Sequence, residues 1–197
     1  MSDSYPRVEV TSRAEWRAWL AANHESSTGI WLVTHKKSEG ERYGPYDAVA
    51  EEAIAFGWID GSRRGIDERR TELLITPRRP KSGWSRVNKR RVEELEASGL
   101  MTDAGRAVIE RAKGNGSWSA LDDVENLVEP DDLRAALDGL PPAREHWNAF
   151  PRSAKRAILE WVGSAKRPET RERRVTETTR LAAENVRANQ PSQPKRR

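Results

Sequence analysis

The side chains best suited to chemistry in this 197-residue chain lie in four short polar-aromatic motifs. Phe56-Gly57-Trp58-Ile59-Asp60-Gly61 sets a carboxylate beside an indole, and Thr76-Pro77-Arg78 supplies a guanidinium. Ser82-Gly83-Trp84-Ser85 with Asn88 adds a second indole and an amide, and Ala165-Lys166-Arg167-Pro168-Glu169-Thr170-Arg171 with Arg174 adds three cations of interest. A guanidinium clamps an oxyanion through two parallel N–H groups, and an indole offers a stacking wall with a polar tip. Trp58, Asp60, Arg78, Trp84, Asn88, Lys166, Arg171 and Arg174 are therefore the expected ligand-binding set. In that reading Asp60 faces Arg78 and Lys166 in a polar pocket walled by Trp58 and Trp84, a setting for a small anionic or zwitterionic ligand.

Each motif also has a purely structural reading. Gly57 can end a helix while Asp60 accepts backbone N–H groups in a turn; Ser85 and Asn88 can satisfy backbone groups while Trp84 fills the core. Glu169 can favour a helix start, with Arg171 and Arg174 solvated or ion-paired.

Complete catalytic signatures are absent. Without cysteine there is no disulfide, thiolate nucleophile or cysteine-ligated zinc. His24, His35 and His146 are far apart and form no HExxH pair, so neither a metal nor another cofactor is expected. No GxSxG elbow or Walker loop occurs, and Lys113-Gly114-Asn115-Gly116-Ser117 reads as a helix stop. An enzyme using Asp60 as acid or base, with Arg78 or Lys166 as electrophilic stabiliser, stays open as an alternative.

The net charge of +4 hides an alternation: acidic to residue 61, basic over 62–91, acidic over 92–151 and basic again to the end. Such a pattern suits internal charge pairing, with a protein partner or, alternatively, nucleic acid as the outside reading. Eight tryptophans but only two phenylalanines make indoles the expected core anchors. MSDSYPRVEV has no signal-peptide character, and no apolar run approaches the ~20 residues of a membrane span, so a cytoplasmic protein without membrane insertion is expected.

The elements that must carry these motifs follow from local chemistry. A strand at Val8–Val10 precedes a helix opened by a Ser12/Glu15 capping box, and Ile30–Thr34 is a strongly β-forming run. A helix starts at Asp47 and closes at Gly57; Trp58–Gly61 turns the chain into a hairpin over 62–76 centred on Asp67-Glu68. Beyond Pro80 the pattern is helical: Ser85–Gly99 with Leu100 completing a Schellman cap, Thr102 or Asp103 to Gly114, Pro130–Gly139, Ser153–Gly163 and Glu169 to about Val186, with Pro141-Pro142 as a linker. The expected fold class is α+β: a small mixed N-terminal layer of about four strands and two helices over residues 1–80, packed against a helical subdomain over 81–187. A disordered basic tail is expected over 188–197.

Taken together, the four motifs and Gly99-Leu100-Met101-Thr102-Asp103-Ala104-Gly105 resemble the YdeI/OmpD-associated family, also labelled bacteriocin-protection proteins, over roughly residues 8–185. The resemblance implies a bacterial protein of stress or antimicrobial-peptide tolerance, with no established set of catalytic residues.

Overall fold

The structure, a computed structural model, describes residues 4–42 and 44–189. The chain forms two compact units that divide between Ala120 and Leu121.

The first unit is built on a four-stranded sheet of β1 (Arg7–Glu9), β2 (Ile30–His35), β3 (Trp58–Gly65) and β4 (Arg70–Pro77), in the order β1-β2-β4-β3. β1 runs parallel to β2, connected through α1 (Arg13–Asn23), while β2 and β3 both pair antiparallel with β4. As read from the sequence, Ser12 caps α1, its side chain accepting from the Glu15 N–H. The period of two sorts the sheet faces: Ile30, Leu32 and Thr34 lie opposite Ile75, Leu73 and Thr71. Trp16 and Leu20 of α1, with Val49, Ala53 and Ile54 of α2 (Tyr46–Ala55), join that core.

On the other sheet face Trp31 is 2% exposed, and the Arg64 guanidinium lies 4.0 Å above its ring. Buried Glu72 is held between Arg7 at 2.7 Å and Arg64 at 2.5 Å. Long basic side chains thus help to roof this face.

Two local expectations change. Trp58–Gly61 is not a turn but the beginning of β3, its register shifting between Asp60 and Arg63, because Gly57 at φ +75° has already turned the chain. The expected boundary at residue 80 falls inside the first unit. The reason is packing: Val92 and Leu95 of α3 (Arg86–Ala97), Met101, and Ile109 and Ala112 of α4 (Asp103–Gly114) belong to the same core as the sheet.

The second unit contains α5 (Asp122–Glu125), α6 (Asp131–Asp138), α7 (Pro141–Ala149), α8 (Arg152–Gly163) and α9 (Pro168–Ala183). Leu133, Leu137, Trp147, Phe150, Ile158, Leu159 and Val162 form its own core. Pro141-Pro142 is the first turn of α7 rather than a linker, a position where a missing N–H costs nothing. The Trp147 indole donates to Glu129 at 2.7 Å, and Arg144 closes on the same carboxylate at 2.9 Å. Of the expected tail, Ala188 is 1% exposed and belongs to this core, whereas residues 190–197 lie outside the described residues. Among the described residues, no helix is long and apolar enough to cross a membrane.

Candidate functional site

Arg78 is the least conventionally placed charge in the first unit. It follows directly on β4, its backbone N–H donating to the Gly57 carbonyl at 3.0 Å, and the residue is only 3% exposed. Nη1 donates to the Gly83 carbonyl at 3.0 Å and to Ser82 Oγ at 3.4 Å, and the guanidinium lies 3.8 Å over the Trp84 ring. Among the described residues Nε and Nη2 have no hydrogen-bond partner, and neither does Nε1 of the buried Trp84. Buried donors without acceptors are uncommon, and a buried cation without a bonded carboxylate more so. Burial pulls the Arg78 guanidinium down to about 10, and Asp60, acting through space, offsets only part of this.

Asp60 is half-buried and engaged elsewhere: the Tyr46 phenol donates to its Oδ2 at 2.7 Å. Burial first, and then this bond to a carboxylate, push the phenol up to about 12. Arg91, 7% exposed, lies 5.7 Å from the centre of the Tyr46 ring. It reaches Asp47 at 2.5 Å and donates to Asn88 Oδ1 at 3.0 Å. Ser85 caps α3 by accepting from the Asn88 N–H.

Trp84, Asp60, Asn88 and Arg78 thus belong to one neighbourhood of the first unit, linked by stacking, through-space attraction and the Tyr46–Arg91 contact. Trp58 is differently placed: its indole donates to the His24 carbonyl at 3.3 Å and packs edge-on against Trp19. Sequence reading missed Tyr46 and Arg91. The signal for Arg91 was its position on the face of α3 that buries Val92 and Leu95. Tyr46 carried no local signal, because its partner is fourteen residues away.

The fourth motif lies in the second unit. Arg171 grips Asp132 through Nε and Nη2, both at 2.8 Å, and donates to the Val162 carbonyl at 3.3 Å. Arg174 stacks 4.9 Å from the Trp161 ring and donates to the Trp161 carbonyl and to Ser164 Oγ. These two side chains therefore satisfy the last carbonyls of α8, which the helix itself cannot. Lys166 is exposed in the connection between α8 and α9.

Several charges of the basic 62–91 segment are paired internally: Arg64 with Glu72, Arg70 with Asp67 and Glu9, Arg90 with Glu94 and Arg91 with Asp47. Among the described residues no cluster of three or more His, Asp or Glu could hold a metal ion.

Comparison with known families divides the chain where the structure does. Residues 8–108, just over half of the chain, match a domain of unknown function, DUF8412, and include the first three motifs and the Gly99–Gly105 segment. Residues 126–185 match the family described as Bacteriocin-protection, YdeI or OmpD-Associated, and include the fourth motif. No curated protein and no solved structure matches the chain. The single pattern expected over residues 8–185 is thus carried by two family models. The chain belongs to the DUF8412 family, whose model spans just over half of it, and its second unit is similar to the bacteriocin-protection, YdeI or OmpD-associated family over residues 126–185.

Proposed function

We propose that this is a binding protein whose first unit holds a small anionic or zwitterionic molecule against Arg78 and Trp84, and that this binding serves bacteriocin or antimicrobial-peptide tolerance in a bacterial cytoplasm. The observation behind it is the buried Arg78 guanidinium, two of whose nitrogens have no partner among the described residues, with no bonded carboxylate there either. An anion arriving at that edge would supply what the protein's own atoms do not, and would restore charge balance to a desolvated cation. Asp60, half-buried nearby, suits the ammonium end of a zwitterion. Arg171 and Arg174 already hold the end of α8, so the reading rests on the first unit. The tolerance role comes from the description of the family that the second unit matches.

The test uses the full chain labelled with 5-fluorotryptophan, so that each indole gives its own fluorine resonance, with Trp84 identified by Trp84→Phe. A panel of small carboxylates, phosphates and amino acids should include compounds that move the Trp84 resonance saturably, and Arg78→Lys should weaken those responses at least tenfold. If no compound moves it, the site does not bind such ligands.

A further inference from the structure

We infer that the group recognised at Arg78 is a phosphate rather than a carboxylate, seated beside the N-terminus of α3. This inference rests on the ligand-binding reading above and narrows its chemistry.

The free donors at Arg78 and Trp84 lie in two layers. Nη1 of Arg78 is occupied by Gly83 and Ser82, which leaves Nε and Nη2, one complete edge of the fork, unpartnered. That edge takes two oxygens of an oxyanion side by side. The third free donor, Trp84 Nε1, belongs to the ring over which the guanidinium lies at 3.8 Å, so it donates from a separate layer. A carboxylate held by the fork keeps both oxygens in the plane of the guanidinium, so neither is directed at the layer of the indole N–H. A tetrahedral phosphate has further oxygens, available to the second layer.

The charge around Arg78 is strongly positive along the sequence. Trp84 immediately precedes Ser85, the cap of the twelve-residue helix α3, whose amino end carries partial positive charge. No acidic residue lies in the first turn of α3, which instead carries Arg86 and Lys89. Between Glu72 and Glu93 the sequence has seven basic residues and not one acidic. Asp60 is the carboxylate felt by Arg78, and it is already hydrogen-bonded to Tyr46. A group carrying close to two negative charges matches this environment better than one carrying a single charge.

Access to the donors is restricted. All three free donors are shielded from solvent. An incoming phosphate therefore requires the atoms that cover these three donors to move aside. Exchange of the ligand should accordingly be slow relative to an open surface site.

The experiment follows the Trp84 indole N–H and the Arg78 Nε–H by NMR on the full chain, at matched ionic strength. Inorganic phosphate, methyl phosphate, acetate and glycine are titrated in turn. Inorganic phosphate or methyl phosphate should shift both signals saturably, with acetate and glycine at least tenfold weaker. Binding of methyl phosphate identifies a phosphate carried on a larger molecule, and binding of inorganic phosphate alone identifies the free ion; either supports the inference. Trp84→Phe should weaken the phosphate response about tenfold while leaving any acetate response unchanged. Should acetate or glycine bind as tightly as phosphate, or should Trp84→Phe leave phosphate binding unaltered, the phosphate assignment falls while a ligand site at Arg78 stands. If all four probes leave both signals unmoved, the site and the assignment fall together.

Discussion

The Tyr46–Asp60 contact links an exposed aromatic residue to the motif that most resembled an active carboxylate, and it can be tested on its own. Burial and the Asp60 hydrogen bond together hold the Tyr46 phenol near 12. Asp60→Asn should bring that phenol part of the way back to its ordinary value of 10, since burial remains while the neighbouring charge is gone. Absorbance at alkaline pH reads this directly, and an unchanged titration would show that the two side chains do not meet. Glu72 gives a second prediction, at acid pH. The Arg7 hydrogen bond, with help from Arg64 and against burial, holds its carboxyl below the ordinary value of 4.5. A carboxyl depressed in the folded state contributes stability above about 4.5, and that contribution is lost as pH falls through the folded value. Stability of Glu72→Gln should therefore be lower than wild type near neutrality and should decline less steeply below about pH 4.5. Parallel acid limbs in the two proteins would remove Glu72 from the account. Residue types pointed to Asp60 and Arg78 from sequence alone. Their partners did not follow, because Tyr46, Asp47 and Arg91 reach the neighbourhood only through the packing of α2 against α3.

At the scale of elements, the Gly99–Gly105 segment is explained by how α4 seats on the end of α2. Gly99 at φ +70° ends α3, with Leu100 N–H bonding the Leu95 carbonyl and Gly99 N–H the Glu96 carbonyl, the Schellman pattern expected from sequence. Thr102 caps α4 and also donates its hydroxyl to the Ala55 carbonyl at 2.6 Å. Gly105 comes so close to α2 that an added Cβ would lie 2.3 Å from that carbonyl and 2.6 Å from Met101 Sδ. Gly105→Ala should cost about 1–3 kcal/mol or more, because backbone rather than a flexible side chain must yield. A fall of at least ~4 °C in the melting temperature of the first unit is expected. A melt unchanged within error would mean that α4 is free to shift. Caps and helix ends were legible because their hydrogen bonds close within a few residues. Trp58–Gly61 and Pro141-Pro142 were misread for the complementary reason. Their glycines and prolines are turn formers in isolation, whereas pairing with β4 makes the first a strand and Leu140 positions the second as a helix start.

At the scale of the whole molecule, the family matches and the packing place the division on the same short stretch, between residues 108 and 126. An α+β class was legible from the succession of β-forming runs followed by helical periods. Placing the boundary at residue 80 followed from composition, which changes there from mixed to helical, while the core does not change until Ala120. Val92, Leu95, Met101, Ile109 and Ala112 fill space against Leu20, Ile54, Trp58 and Trp84, and Trp118 packs on Trp84 with ring centres 5.0 Å apart. A strand-rich fragment lacking these helices would expose that apolar surface to water, at ~25 cal/mol for each Å². A fragment ending at Ala120 should consequently fold with a cooperative thermal transition and a dispersed amide spectrum, while one ending at residue 80 should not. The second unit, from Leu121 onward, should likewise fold alone, since Leu133, Leu137, Trp147, Ile158 and Val162 form a core cluster of their own. Limited proteolysis of the full chain should release these same two pieces, cutting near Ala120 and sparing the Pro80–Ser85 connection. Cooperative folding of the shorter fragment, or failure of the longer one, would show that the helices α3 and α4 do not complete the core of the sheet.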